Sequence, residues 1–294
     1  MTDNKIGLIG IGKMGYGIGL SLINRGCELY VLGNKNREGI DKLLAIKAKE
    51  IDNISQMIAE CKTIILSLPS SAEVDDVLFG LKGIEEGGNE GGNYDGLIID
   101  TATGDPTLSR MILEKLSFLG FKYVDAPVTR GPKEATEGRL NTILGGEDST
   151  KTKANEIVSM YSEFIIPKQG TGSAHKLKLL NNALSISVVA ISAEIFAAAD
   201  KLNIGLESLR NLVKHGGVNN GLLQSLFKWG LDGNKESLDF SISNAEKDLR
   251  YFERLCIEDG YETFIVKSVH QLFKESTDAG LGKLTLPNII NVAR

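Results

Sequence analysis

The stretch Ile6-Gly7-Leu8-Ile9-Gly10-Ile11-Gly12-Lys13-Met14-Gly15 decides the reading of the N-terminal half. Four residues of a short apolar strand run into G-x-G-x-x-G, and Met14, Ile18 and Leu22 then recur at four-residue spacing, the period of a helix face. A glycine triplet between a strand and a helix is the context in which this motif carries meaning. Gly10 permits the tight turn, Gly12 lets backbone approach a pyrophosphate, and Gly15 lets helix and strand pack closely. The N–H groups at the helix start are donors for the anion. Ile11, Lys13 and Met14 complete the cradle.

Working outward, Gly26 closes the helix and Glu28 to Leu32 reads as the next strand, followed by a helix around Gly39 to Lys49. Thr63 to Leu68 is a buried strand stopped by Pro69, and Leu97 to Asp100 is another. Asp105-Pro106 has the form of an N-cap and first helical position, opening a helix that ends near Gly120. Phe121 to Val128 and Leu140 to Leu144 read as further strands, while glycine-rich Gly83 to Gly96 reads as an exposed loop. Strands alternating with helices imply parallel crossovers: an α/β chain with an N-terminal doubly wound sheet of the Rossmann type.

After about residue 168 only helices are expected. His175 to Leu202 forms one run of about 40 Å at 1.5 Å per residue, long enough to join two domains. Gly205 is its stop signal, and Ser243-Asn244-Ala245-Glu246 has capping-box spacing, so a helix is expected to begin there. The expected division is residues 1–168 for dinucleotide binding and 169–294 for an all-helical domain serving substrate binding and oligomerisation. The long helix links them.

The cofactor type is read after the second strand. A site for NAD places Asp or Glu there for the ribose 2′-hydroxyl. Here Gly33-Asn34-Lys35-Asn36-Arg37 offers no carboxylate before Glu38, whereas Lys35 and Arg37 could pair with a 2′-phosphate, with Asn34 beside them. NADP(H) is favoured and NAD(H) remains open.

Composition fits this picture. In 294 residues, 33 Lys and Arg against 38 Asp and Glu leave a net charge of −5, which argues against nucleic-acid or anionic-membrane partners. Cys27, Cys61 and Cys256 are dispersed, as expected in a reducing, cytoplasmic setting. The three histidines lack metal-ligand spacing, so no metal site is expected. The start of the chain does not read as a signal-peptide core. The apolar run Ala183 to Ala199 is interrupted by Ser185, Ser187, Ser192 and Glu194, and reads as a buried helix. It is expected to build an interdomain or intersubunit core, hence a homodimer or homotetramer.

Three further segments make the chain resemble the beta-hydroxyacid dehydrogenases over nearly its whole length. Asp125-Ala126-Pro127-Val128-Thr129-Arg130-Gly131, with Ala135, Gly138, Leu140 and Gly145-Gly146 after it, is similar to the family's D-A-P-V-S-G-G segment. The resemblance implies that Thr129 and the Gly131 backbone hold the substrate's acid group. Arg130 replaces the family's usual glycine, as it does in the sulfolactaldehyde reductases of that family, and a guanidinium suits a carboxylate, sulfonate or phosphate. Gly172-Ser173-Ala174-His175-Lys176-Leu177-Lys178-Leu179-Leu180-Asn181-Asn182 resembles G-x-G-H-x-x-K-x-x-N-N. On that register Lys178 is the catalytic lysine and Asn182 its partner, one turn apart on a helix face. A looser register would select Lys176, but its residue four further on, Leu180, cannot hydrogen-bond a substrate. His175 reads as a local polar contact. Lys247-Asp248-Leu249 is similar to the family's K-D-L, whose lysine approaches the nicotinamide half of the cofactor. Leu68-Pro69 resembles the family's L-P loop and Asp100-Thr101-Ala102-Thr103 its D-x-S-T, with Ala102 lacking the serine hydroxyl and Thr103 retained; the resemblance implies cofactor contacts from Leu68, Pro69 and Thr103.

Together these imply an NAD(P)-dependent oxidoreductase that interconverts a small anionic hydroxy acid and its semialdehyde, of the 3-hydroxyisobutyrate, tartronate semialdehyde or sulfolactaldehyde kind, with Lys178 as general acid and base. Imine reduction and non-catalytic dinucleotide sensing are the alternatives on the same architecture. The lysine–asparagine pair disfavours both.

Overall fold

The computed structural model describes residues 4–81, 83–84, 95–233 and 238–293. The chain divides into two compact units, Met1–Lys178 and Leu179–Arg294.

The first unit alternates β1 (Lys5–Ile9), α1 (Lys13–Asn24), β2 (Glu28–Leu32), α2 (Glu38–Leu44), β3 (Lys49–Ile51), α3 (Ile54–Glu60), β4 (Thr63–Leu66), α4 (Ser71–Phe79) and β5 (Gly96–Asp100). It continues through α5 (Pro106–Phe118), β6 (Phe121–Asp125), β7 (Val128–Thr129), α6 (Pro132–Thr136), β8 (Leu140–Gly146), α7 (Asp148–Val158) and β9 (Ser162–Gln169). The sheet order is β3-β2-β1-β4-β5-β6-β8-β7, with β9 also paired to β8. Pairing is parallel from β3 to β6, antiparallel where β8 meets β6 and β7, and parallel again between β8 and β9. The central strands are buried on both sides and read as continuous apolar runs, as strands covered by helices must. Ile18, Leu22, Ile40, Leu43, Ala135, Ala154 and Val158 form the core on one face of the sheet. Met57, Ile58, Val74, Leu78, Ile112 and Leu116 form it on the other. Helices on both faces of a mostly parallel sheet give the expected doubly wound α/β arrangement.

Several boundaries differ from expectation. The strand expected over Thr63 to Leu68 ends at Leu66. The one expected over Phe121 to Val128 is divided into β6 and β7 at Ala126-Pro127, where proline has no N–H to give the ladder; both strands pair antiparallel with β8. Most of the loop expected over Gly83 to Gly96 lies outside the described residues. Asp105 does cap α5, its side chain accepting the Thr107 N–H at 2.9 Å.

The second unit follows α8 (Ser173–Lys201), whose first residues belong to the sheet-bearing unit. It contains α9 (Leu206–Lys214), α10 (Gly221–Asp232), α11 (Ile242–Glu258), α12 (Ile265–Ser276) and α13 (Ile289–Ala293). Its core gathers Leu179, Ala183, Ile186, Val189 and Phe196 from α8 around Leu226, Phe227, Leu249 and Phe273. The Phe196 and Phe227 rings lie 4.5 Å apart. By length and composition α8 could cross a membrane, but 56% of its most apolar window is buried, as in a core helix. The cap of α11 is Ser241, not Ser243: its hydroxyl accepts the Asn244 N–H at 3.2 Å. Two serines two residues apart satisfy similar cap rules, and Glu246 is diverted to Arg250 and His270.

Candidate active site

The phosphate cradle lies where the sheet order reverses, between β1 and β4, the place at which open α/β sheets bind ligands. Each glycine has a distinct geometric reason. Gly10 sits at φ +93°, and a Cβ there would lie 2.3 Å from the Ser67 carbonyl oxygen. A Cβ on Gly15 would lie 1.9 Å from the Gly10 oxygen. A Cβ on Gly12, by contrast, would meet nothing within 4 Å. The space over Gly12 is open, no side chain caps α1, and its first turn has no acidic residue. These features fit a pyrophosphate. Ile11 packs against α2, where a Cβ on Gly39 would meet its oxygen at 2.8 Å. Leu68 flanks Gly10, Pro69 follows it at the surface, and Lys13 and Met14 open α1. Half-buried Thr103 leads into α5.

Beyond β2, Asn34, Lys35 and Arg37 are all exposed. The Asn34 side chain accepts the Lys35 N–H at 2.6 Å. Arg37 is engaged by two carboxylates. Its Nη1 and Nη2 donate to Glu50 at 2.5 and 3.1 Å, and its Nε and Nη2 to Asp41 at 3.2 and 2.9 Å. Hydrogen bonding by Arg37 holds the Glu50 carboxyl below its usual range.

The Asp125-to-Gly131 segment is fixed to α1 through α6: Ser21 Oγ donates to the Ala135 oxygen at 2.9 Å, and a Cβ on Gly17 would lie 2.5 Å from that of Ala135. Among the described residues the Thr129 hydroxyl has no hydrogen-bond partner. Arg130 has φ +76°, which explains why glycine suits this position. Its Nη1 donates to the Arg139 oxygen at 2.5 Å and pairs with Glu163. The Gly131 N–H donates to the Glu134 carboxylate at 3.1 Å, and backbone hydrogen bonds hold that carboxyl below its usual range.

Asp125 controls the start of α8. Its Oδ1 accepts the Gly172 N–H at 3.0 Å, and its Oδ2 accepts those of Ala174 and His175 at 2.8 and 3.0 Å. His175 is buried, with Nε2 3.1 Å from the Ala102 oxygen and Nδ1 2.7 Å from Ser109 Oγ. A carbonyl only accepts, so Nε2 carries a proton; both ring nitrogens are engaged in structural contacts. The turn after His175 carries Lys178, and the next carries Asn182; both are buried.

In the helical unit, Asn182 Nδ2 donates to Asp248 Oδ2 at 2.6 Å, and Asn182 Oδ1 accepts from Asn181 at 3.1 Å. The carboxylate can only accept, which fixes the amide orientation and leaves Asn182 one N–H for another acceptor. Lys247 Nζ lies 3.2 Å from Asp248 Oδ1, and Asp248 is buried. In the sequence Asp248 stands out only as part of the Lys247-Asp248-Leu249 tripeptide. Asp125, Glu50, Glu134 and Glu163 likewise had no role until the fold brought them to their partners. The groups of histidines, cysteines and acids include no metal-holding cluster among the described residues.

Comparison with known proteins agrees with this geometry. Residues 5–170 match the family model for the NAD-binding domain of 6-phosphogluconate dehydrogenase. Residues 172–293 match the NAD-binding domain of NADP-dependent 3-hydroxyisobutyrate dehydrogenase. Similar curated proteins include 3-sulfolactaldehyde reductase of Escherichia coli, 29% identical over 83% of this chain and 80% of that protein. Glyoxylate/succinic semialdehyde reductase 1 of Arabidopsis thaliana is 25% identical over 99% and 98%. The crystal structure of 3-hydroxyisobutyrate dehydrogenase from Salmonella typhimurium shares the fold, with a TM-score of 0.85, 20% identity, and coverage of 98% of this chain and 99% of that one. The chain belongs to the beta-hydroxyacid dehydrogenase family and is an NAD(P)-binding oxidoreductase of that family.

Proposed function

We propose that this protein reduces a short semialdehyde carrying an acid group to the corresponding hydroxy acid, and runs the reverse oxidation, with NADP(H) as the favoured cofactor. The observation that carries the reading is the pairing on α8: Lys178 and Asn182 stand one turn apart, with the helix start tied to Asp125 and the Asn182 amide held by Asp248. Gly10, Ile11, Gly12, Lys13 and Met14 would hold the pyrophosphate, Asn34 and Lys35 the adenosine ribose, and Leu68, Pro69, Thr103 and Lys247 the rest of the cofactor. When bound, the nicotinamide supplies or accepts the hydride.

Lys178, as an ammonium, donates a hydrogen bond to the substrate's carbonyl oxygen, stabilises its developing negative charge and delivers the proton. In oxidation the neutral amine takes the hydroxyl proton. The remaining Asn182 N–H orients the same oxygen. The Thr129 hydroxyl holds the acid group at the other end, and this double grip fixes the reacting carbon. The Gly131 N–H joins that grip only by exchanging Glu134 for the substrate acid, and Arg130 only by leaving Glu163.

We further propose a homodimer or homotetramer in a reducing, cytoplasmic setting, with no nucleic-acid or membrane partner. Exposed Leu180, Leu184, Ile191 and Ile195 lie on one side of α8 at spacings of four and seven, which supports self-association. The activity is tested by mixing the protein with NADPH and semialdehydes that differ only in the remote group while following cofactor absorbance. Acid-bearing semialdehydes should be consumed, and neutral aldehydes of equal length should be poor substrates. No turnover with any member of the panel would reject the reading.

A further inference from the structure

The end of β2 carries a charge arrangement that its local sequence does not show. Lys35 and Arg37 are the two cations that directly follow β2, where the ribose 2′-substituent is read, but they are not equivalent. The Arg37 guanidinium makes four hydrogen bonds, two to Glu50 from β3 and two to Asp41 from α2. An arginine has five N–H donors, so one is left. Glu50 also leans over the end of β2: a Cβ on Gly33 would lie 2.5 Å from its Oε1 and 3.6 Å from Arg37 Nη1. Glycine at 33 is thus what admits the carboxylate. Nearby, Lys42 is paired with Glu38 at 2.9 Å. Among the described residues the Lys35 ammonium has no partner.

We propose that Glu50 is a cofactor-specificity residue: with Asp41 it holds the Arg37 guanidinium, so that Lys35 alone meets a 2′-phosphate and Arg37 does not. A phosphate monoester carries about −1.5 to −2 charges at neutral pH. Approaching Arg37, it would have to displace or sit beside two carboxylates of its own sign, whereas Lys35 meets it without displacing a partner. Glu50 therefore limits discrimination between NADPH and NADH without touching the part of the cofactor that reacts. This inference rests on NADP(H) being the favoured cofactor.

The test is calorimetric binding of NADPH, NADH, 2′,5′-ADP and 5′-ADP to the full chain and to Lys35→Ala, Arg37→Ala, Glu50→Gln and Arg37→Ala/Glu50→Gln. Lys35→Ala should weaken NADPH and 2′,5′-ADP about tenfold and NADH little, since one charge-assisted phosphate contact is lost. Arg37→Ala should change NADPH affinity less than about twofold. Glu50→Gln should tighten NADPH and 2′,5′-ADP about threefold to tenfold, and adding Arg37→Ala should erase that gain. Unchanged NADH affinity would show that each variant remains folded. The inference is overturned if Glu50→Gln leaves 2′,5′-ADP affinity unchanged or weaker, or if Arg37→Ala alone costs as much as Lys35→Ala. Tighter wild-type binding of NADH than NADPH would instead reject the cofactor preference. The Arg37–Glu50 cycle, read with 2′,5′-ADP, still decides the clamp in that case.

Discussion

The Asp125 carboxylate accepts the backbone N–H of His175 at 3.0 Å, across a sequence separation of 50 residues. Two more N–H groups, those of Gly172 and Ala174, end on the same carboxylate. The aspartate that opens the D-A-P-V-T segment therefore acts as an anion at a helix N-terminus, where exposed amides and the helix dipole favour negative charge. It fixes α8 one turn before Lys178. Asp125→Ala leaves three buried donors without an acceptor and should lower stability by about 3 kcal/mol, whereas Asp125→Asn keeps one acceptor and should lose less. Urea unfolding measures both. A loss below about 0.5 kcal/mol for the alanine variant would show that the contact does not hold the helix.

The glycines of the cradle separate binding from folding. Gly12→Ala adds a methyl group into open space at φ −79°, so the variant should melt close to the wild type. Its Cβ occupies the approach to the pyrophosphate, and dinucleotide affinity should fall about tenfold or more. Gly15→Ala drives a Cβ to 1.9 Å from the Gly10 oxygen and should cost about 2–3 kcal/mol of stability. Thermal melting beside NADPH titration distinguishes them. Equal affinity for the Gly12→Ala variant would remove the cradle from that position.

On the proposed mechanism Asp248, which accepts the Asn182 amide N–H at 2.6 Å, is a positioning residue that acts through Asn182. Asn182→Ala and Asp248→Ala should each lower kcat about 10- to 100-fold, and the double variant should lose little more than the worse single one. Cofactor affinity should move much less than kcat. Full additivity of the two losses in the kinetic cycle would separate the residues.

Asp100 gives a pH dependence of definite sign. Burial raises its carboxyl above the usual value, outweighing the nearby His175 and the hydrogen bonds from Tyr123 and Ala102. The folded state holds the proton more tightly than the unfolded chain. The stability this contributes is fully present below the unfolded value and is lost as pH rises through the folded one. The unfolding free energy of the wild type relative to Asp100→Asn should therefore decline as pH rises from about 4. A flat difference, or a rise, would contradict the assignment.

How much of this was legible in sequence follows from distance along the chain. The glycine loop, the alternation of strands and helices, and the Asp105-Pro106 cap are local patterns, and the structure forms them where expected. The edge strands were missed for physical reasons: β3 has only three residues, and β9 is largely exposed and contains Pro167. Lys178 and Asn182 were singled out through the resemblance of the Gly172 to Asn182 segment to the family's motif, with helix spacing deciding between Lys178 and Lys176. Their supports were not, since Asp248 lies 66 residues from Asn182 and only the packing of α11 against α8 joins them. Arg37 and Arg130 read as available cations because Glu50 and Glu163 reach them from other strands.

The central claim is that the Lys178 amine handles the proton of the reacting oxygen. Its most direct test is single-turnover reduction of an acid-bearing semialdehyde by NADPH with Lys178→Ala, alongside NADPH binding to the same variant. The account predicts a fall in the reduction rate of about 10²- to 10⁴-fold, with the dissociation constant for NADPH changed by less than about threefold. Reduction at the wild-type rate by a variant that still binds NADPH would contradict it.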